Sequence, residues 1–422
     1  MSTGSTDQFL VRELAEKYPG KVVPGFGWHP WFSYLVWDDE DPELLALWET
    51  GEEGWEGEFK MRHFGRVLKG GGGGAGDGGR LERGFIQALG MPRRLRGDVL
   101  VELRRNLQCF KCQGRGVVLG EVGLDRGFRL PWPKGHHPPA SASSAVSEEG
   151  DGGKEKALSP YKVSMDHQVL VFIAQMKVAG EVGVPASVHG VQAHGTMFDT
   201  LRGLWRGWEV RVESRREMRE RVVRGRKLEG REREWVDRFL LEDGKGLEEI
   251  DSEVEDEGEV DENIIPLSNS GTKTIATVLP LRPKPPSGPP PFPPRICLHS
   301  FSAPPQTLSQ YLTNPTPTTA YPSEVYFSFS TTINSRNKNR LDEVLGMVPR
   351  ERVLVESDLH TAGEEMDRVL EGAVEVVRGI KGWGGEEVRR VVGENWGRWV
   401  YGKEWGGRRE EGSIRQEDVS VR

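Results

Sequence analysis

Six short apolar runs, separated by stretches with helical periodicity, constrain this chain more than any other feature of its sequence. They are VVPGFG (22–27), VVLGEVGL (117–124), VPASVH (184–189), ICLHSF (296–301), VYFSFS (325–330) and RVLVESD (352–358). Their β-branched and aromatic residues suit a pleated, buried strand. Helical patterns lie beside them at 9–18, 98–107, 166–180, 341–347 and 364–380. Strands alternating with helices specify a parallel sheet, because each crossover returns the chain to the same end. Four of the runs also carry one hard polar residue at or near the C-terminal end: Glu121, His189, His299 and Asp358. In a parallel barrel all strand C-termini open on one face. Charges there are costly unless paired or coordinated, so two imidazoles and two carboxylates make a competent set for Zn²⁺, Mn²⁺ or Mg²⁺. A single histidine after a strand is usually a satisfied core residue, and a single acid often caps the next helix. The metal reading rests on the four recurring at one topological level.

Composition limits how much of the 422 residues is packed core: Gly (54) and Pro (27) are abundant and hydrophobics are only 36%, against ~45–50% in an average soluble domain. Eight glycines fill positions 70–79 with no GK[ST] ending, so a phosphate loop is not indicated. Residues 135–159 are rich in Ala, Ser, Gly and Pro. A basic segment over 202–234 is followed by twelve acids against one lysine in 242–262, and by nine prolines in 280–294. None of these stretches has apolar periodicity, and long disordered insertions are expected. The expected organisation is one barrel domain over 1–402, interrupted at 66–82, 135–159 and 203–294, with a tail at 403–422.

A net charge of −8 argues against a nucleic-acid-coating protein, though not against local phosphate contact. Three cysteines exclude a disulfide scaffold and fit a reducing compartment. Cys109 and Cys112 have the spacing of a zinc half-site or redox pair, but no second pair accompanies them. No stretch is long and apolar enough for a transmembrane helix, and the opening MSTGSTDQ has no apolar signal core. Cytoplasm and/or nucleus is the expected location, without membrane attachment.

Seven blocks occur in order: GWHPW (27–31), GEVGLDRGFRLPW (120–132), SVHGVQAHG (187–195), LHSFS (298–302), VYFSFS (325–330), VLVESD (353–358) and GENWGRWVYG (393–402). Together they resemble the TatD-type metal-dependent deoxyribonucleases, in a fungal branch of that family. The resemblance covers about residues 10–39, 117–132, 165–200 and 295–402. It implies a (β/α) TIM-type barrel and a metal-dependent hydrolase acting on phosphodiester bonds of DNA, using one or two divalent ions (Zn, Mg or Mn). Carried over residue by residue, it makes Glu121, His189, His299 and Asp358 metal ligands. Glu121 bridges or anchors the metal, and Asp358 also orients or deprotonates the attacking water. His29 falls near the substrate, while Asn395 and Arg398 match a helix motif with a structural role.

The chain departs from the family pattern in three places. No His-x-His strand precedes His29, the ETD motif reads Glu356-Ser357-Asp358, and the HxR motif reads His189-Gly190-Val191. The resemblance therefore implies a barrel incomplete at its N-terminus, with six of eight strands visible, one metal retained and weak or absent nuclease activity. A competing reading keeps the barrel as a non-catalytic shell that binds proteins through its acidic and Pro-rich insertion.

Overall fold

The computed structural model describes residues 1–70, 81–133, 157–212 and 287–402. Six strands make one sheet: β1 (Gly25–Phe26), β2 (Val118–Asp125), β3 (Ala186–Val191), β4 (Arg295–Leu298), β5 (Glu324–Phe329) and β6 (Val353–Val355). Their spatial order is their chain order, and every neighbouring pair is parallel. All six expected runs are strands of this α/β barrel of TIM type. β1 and β6 stand at the edges, so among the described residues this sheet has six strands rather than eight.

Among the described residues ten helices of at least eight residues accompany them: α1 (Gln8–Lys17), α2 (Pro42–Thr50), α3 (Trp55–Val67), α4 (Leu100–Cys112), α5 (Met165–Val182), α6 (His194–Trp205), α7 (Pro305–Leu312), α8 (Lys338–Met347), α9 (Glu364–Lys381) and α10 (Gly385–Tyr401). The five expected helices correspond to α1, α4, α5, α8 and α9. Local chemistry sets their ends. On α5, the Ser164 hydroxyl accepts from the His167 amide, and Gly183 closes the helix at φ +71°. On α4, residues Leu95–Val99 form a π turn before the helix, which then runs on through both Cys109 and Cys112.

Strand alternation divides the side chains between two faces. Ala186, Val188, Ile296, Leu298, Val325, Phe327, Phe329 and Val353 join the large core shared with the helices. Between them alternate Ser187, His189, Cys297, His299, Tyr326, Ser328 and Leu354, on the opposite face. That face is apolar near the strand starts, where Val118, Cys297, Tyr326 and Leu354 pack with Trp399 and Val400 of α10. Arg295 fastens this plug, donating to the Trp399 and Val400 carbonyls at 2.6 and 3.3 Å. Asn395 adds a second tie, its amide donating to the Arg350 and Val353 carbonyls at 2.8 and 2.9 Å. The structural role expected for Asn395 is its observed one. Arg398 pairs with Glu394 at 3.3 Å. Towards the strand ends the same face becomes polar, with Ser187, His189, His299 and Ser328.

Contacts divide the chain into Met1–Val210, Ser287–Pro315 and Tyr321–Arg422 as one unit, and Arg211–Pro286 with Thr316–Ala320 as another. Of the second unit, residues 211–212 and 316–320 are described. The described margins of the expected insertions are packed. Val67, Leu68, Ser159, Leu204, Trp205 and Phe292 are all buried. Leu68–Gly70 pairs antiparallel with Tyr161–Val163, and Trp205 donates its indole N–H to Ser323 at 2.9 Å. A few apolar anchors suffice to fix ends that a composition window assigns to the insertions. The interiors of those insertions and the tail at 403–422 lie outside the described residues. No described helix is long and apolar enough to cross a membrane.

Two measurements check this packing. A methyl carbon on Gly123 would lie 2.0 Å from the His189 carbonyl oxygen, at φ +150°. Gly123→Ala must therefore separate β2 from β3, and an urea titration should show a loss of more than about 3 kcal/mol. His63 is buried, with its Nε2–H donating to the Tyr34 carbonyl at 2.7 Å, and burial pushes its pKa down to about 3. The unfolded imidazole takes up a proton near pH 6.5, so the unfolded state binds more protons between pH 6.5 and about 3, and stability falls with pH across that window. Between pH 7 and pH 5 the wild type should lose about 2 kcal/mol more than His63→Gln, which keeps an N–H for Tyr34.

Candidate metal centre at the strand ends

The C-terminal ends of β2, β3 and β4 bring three of the four expected ligands together around one atom. Glu121 Oε1 lies 2.7 Å from His299 Nε2 and 3.4 Å from His189 Nδ1. His29 Nε2 is 3.6 Å from the same oxygen, and His189 Nδ1 and His299 Nε2 are 3.2 Å apart. His29, expected near the substrate, thus stands in the cluster itself. It follows β1, where its Nδ1 accepts from the Trp31 amide at 3.3 Å. The chain's first residues brace the group from below: Glu121 N donates to Ser2 O (3.1 Å) and His29 N to Thr3 O (2.9 Å).

Asp358 enters by a different route. The Ser300 hydroxyl gives its one proton to Glu356 Oε1 at 2.6 Å, and Asp358 Oδ2 lies 3.2 Å from the same Oγ. The Ser300 amide donates to the same Glu356 oxygen at 2.5 Å. Asp358 therefore adjoins His299 through this serine bridge, rather than by direct contact with Glu121. Three non-glycine residues take left-handed backbone here: Gln192 (φ +51°) after β3, Ser300 (φ +42°) after β4 and Asp358 (φ +56°) after β6. Such conformations cost about 1–3 kcal/mol each and persist where surrounding structure dictates them. They are the only positive-φ non-glycine residues among those described, and all follow strands of the site.

Sequence reasoning missed Asp125. It ends β2, is buried, and uses Oδ2 to accept from Trp31 Nε1 at 2.6 Å and to meet His189 Nε2 at 3.2 Å. Its place four residues after Glu121 on one strand was a readable signal, since residues at even spacing share a face. Trp31 was quoted in its motif without a role, and it stacks on Phe128 with centroids 4.7 Å apart.

The electrostatics follow from burying one carboxylate among imidazoles. Burial opposes ionisation of Glu121, but His299 first, then bonds from His189, His29 and His299, hold its pKa well below the usual range. For His299, burial is outweighed by Glu121, and its pKa is pushed up to about 9. His189 rises too, with Asp125 and Glu121 overcoming burial, whereas burial wins at His29 and lowers it. Loss of solvent, then the Glu356 charge, raises Asp358.

This donor set suits a divalent cation. A carboxylate oxygen offers about two lone pairs, fewer than the three imidazole nitrogens crowding it. His29, Glu121 and His189 offer ligand atoms within 4.8 Å of one another. Nitrogen and oxygen donors ~2.0–2.2 Å from a shared ion have about these mutual spacings.

Comparisons with known proteins give the family of the chain. The family model "TatD related DNase" matches residues 1–210 and 283–400. Cut9-interacting protein scn1 of Schizosaccharomyces pombe is 30% identical over 395 residues, spanning 94% of this chain and 88% of scn1. The protein named uncharacterized deoxyribonuclease YMR262W, from Saccharomyces cerevisiae, is 27% identical over 205 residues, 47% of this chain and 50% of its own. Among solved structures, the TatD homologue YJJV of Escherichia coli K12 aligns over 94% of this chain and 83% of its own, at 10% identity and a TM-score of 0.41. The extent of the family match and the relation to scn1 establish that the chain belongs to the TatD-related DNase family.

Proposed function

We propose that the chain is a metal-dependent hydrolase of phosphodiester bonds in DNA, working with one divalent ion. The observation that carries this reading is the convergence of three imidazoles on a single Glu121 oxygen at the mouth of the barrel. Glu121, His189 and His299 would hold the ion, with Asp358 beside them. When bound, the ion supplies Lewis acidity at a phosphoryl oxygen and makes a water more acidic. Asp358, its pKa raised by burial and then by the Glu356 charge, would take up the proton of the attacking water. Ser300 Oγ lies beside it, 3.2 Å from Asp358 Oδ2. His29, on the β1 side of the cluster, faces the substrate.

A second reading is favoured by one fact, that scn1 is named for its interaction with Cut9. On that reading the barrel displays a contact segment, the acidic and Pro-rich stretch, to a protein partner. Removing residues 242–286 while keeping the buried Phe292 anchor separates the two, since cleavage should survive and partner binding should not.

The direct test uses the full chain. Metal analysis after dialysis against Mn²⁺ or Zn²⁺ should give about one ion per chain, and a labelled oligonucleotide should be cut slowly in a chelator-sensitive manner. Glu121→Gln should lose the ion and at least ~100-fold in rate. A wild type that retains no ion, or a Glu121→Gln protein that cleaves as fast as the wild type, would overturn the proposal.

A further inference from the structure

Asp125 is held more firmly than any hydrogen bond to its side chain alone would require. Its amide donates to Gln168 Oε1 at 2.7 Å, and its carbonyl accepts from Gln168 Nε2 at 2.9 Å. Oδ1 accepts from the amides of Gly127 and Phe128 at 2.7 and 2.9 Å. The carboxylate is thus fixed, and it is 4% exposed. That leaves Oδ2 for the Trp31 indole and His189 Nε2.

The indole N–H can only donate, so Oδ2 is an acceptor towards Trp31. The remaining capacity of Oδ2 then draws the proton of His189 onto Nε2. A neutral His189 in that tautomer presents the lone pair of Nδ1 to the space beside Glu121, where Nδ1 lies. The same oxygen anchors Trp31, which stacks on Phe128 at 4.7 Å and 11° and meets His29 edge-on at 4.7 Å. Trp31 stays 38% exposed, so the pair forms a lip of the site that a ligand can reach.

We infer that Asp125 is a positioning residue of the metal centre: one oxygen sets the tautomer and ring plane of His189 and ties that ring to the Trp31–Phe128 lip. The inference rests on the proposed metal-binding reading and extends it to a residue outside the ligand set. Partners that orient a ligating histidine typically contribute 10–100-fold to metal affinity.

Asp125→Asn tests it with little change of shape. The asparagine oxygen can keep the Gly127 and Phe128 amides, which leaves its NH₂ facing the indole N–H and His189 Nε2. The imidazole must then accept at Nε2 and carry its proton on Nδ1, the atom that faces Glu121. Calorimetric titration of the metal-free full chain with Zn²⁺, and separately with Mn²⁺, should show affinity 10–100-fold weaker than in the wild type. The double variant W31F/D125N removes the donor–donor conflict and guards against a folding defect, which circular dichroism would report. It should stay as weak as Asp125→Asn, because the wrong tautomer persists. In the Zn²⁺-loaded wild type, nitrogen NMR of His189 should show coordination through Nδ1 and a protonated, hydrogen-bonded Nε2. Recovery of wild-type affinity in the double variant, unchanged affinity in Asp125→Asn, or coordination of His189 through Nε2 would each overturn the role of Asp125. A wild type that takes up neither ion would instead overturn the proposed function itself.

Discussion

A carboxylate cannot be buried alone, and the arrangement of this barrel mouth follows from how Glu121 is compensated. Isolated in a low-dielectric site, its charge would cost several kcal/mol and its proton would return. Three imidazoles prevent that, and each arrives on a different strand end: His29 after β1, His189 on β3 and His299 after β4. The backbone must hold these strands to within tenths of an ångström. Gly123 lets β2 approach His189, and the amides of Glu121 and His29 are tied to the carbonyls of Ser2 and Thr3.

The opposite end of the same inner face meets a simpler requirement. Trp399 and Val400 close it against Val118, Cys297, Tyr326 and Leu354. Period-two alternation then carries chemistry up the barrel, from Cys297 to His299 on β4 and from Ser187 to His189 on β3. The Ser187 hydroxyl meets His299 Nδ1 at 3.2 Å, so even the layer beneath the cluster orients a ring. A sheet wall with helices outside and a plug below leaves one face where charge is tolerated.

Much of this was legible in the sequence, for a physical reason. A buried parallel strand must be a continuous apolar run, so a hard polar residue at its end stands out, and Glu121, His189, His299 and Asp358 were found that way. The backbone alone decides where three of them point. Asp358 was read as a direct member of the cluster; it follows β6 in left-handed backbone with Oδ2 3.2 Å from Ser300 Oγ, and strand patterns do not encode such turns. Asp125 shares a strand face with Glu121, a signal that its spacing carries, but its role depends on an indole bond to Trp31, 94 residues away in the chain. The helices α2 and α3 were likewise missed. They are held by a cluster of Trp37, Trp48, Trp55 and Phe59, aromatics drawn from three separate segments that pack on one another. The insertion margins erred in the other direction, because Trp205 and Phe292 are single anchors inside polar or Pro-rich windows.

The three left-handed residues that ring the site bear on how this fold tolerates change. Gln192, Ser300 and Asp358 occupy backbone that glycine would adopt freely, so each is a position where the chain holds a side chain at the expense of stability. A survey for stabilising substitutions that scored only the folded energy would favour glycine at all three. It would thereby unfasten the Ser300 bridge and remove the Asp358 carboxylate. The stability of this barrel and the chemistry of its mouth therefore draw on the same few dihedral angles, and a sturdier version of the protein has to find its gains elsewhere, on the helices and the plug.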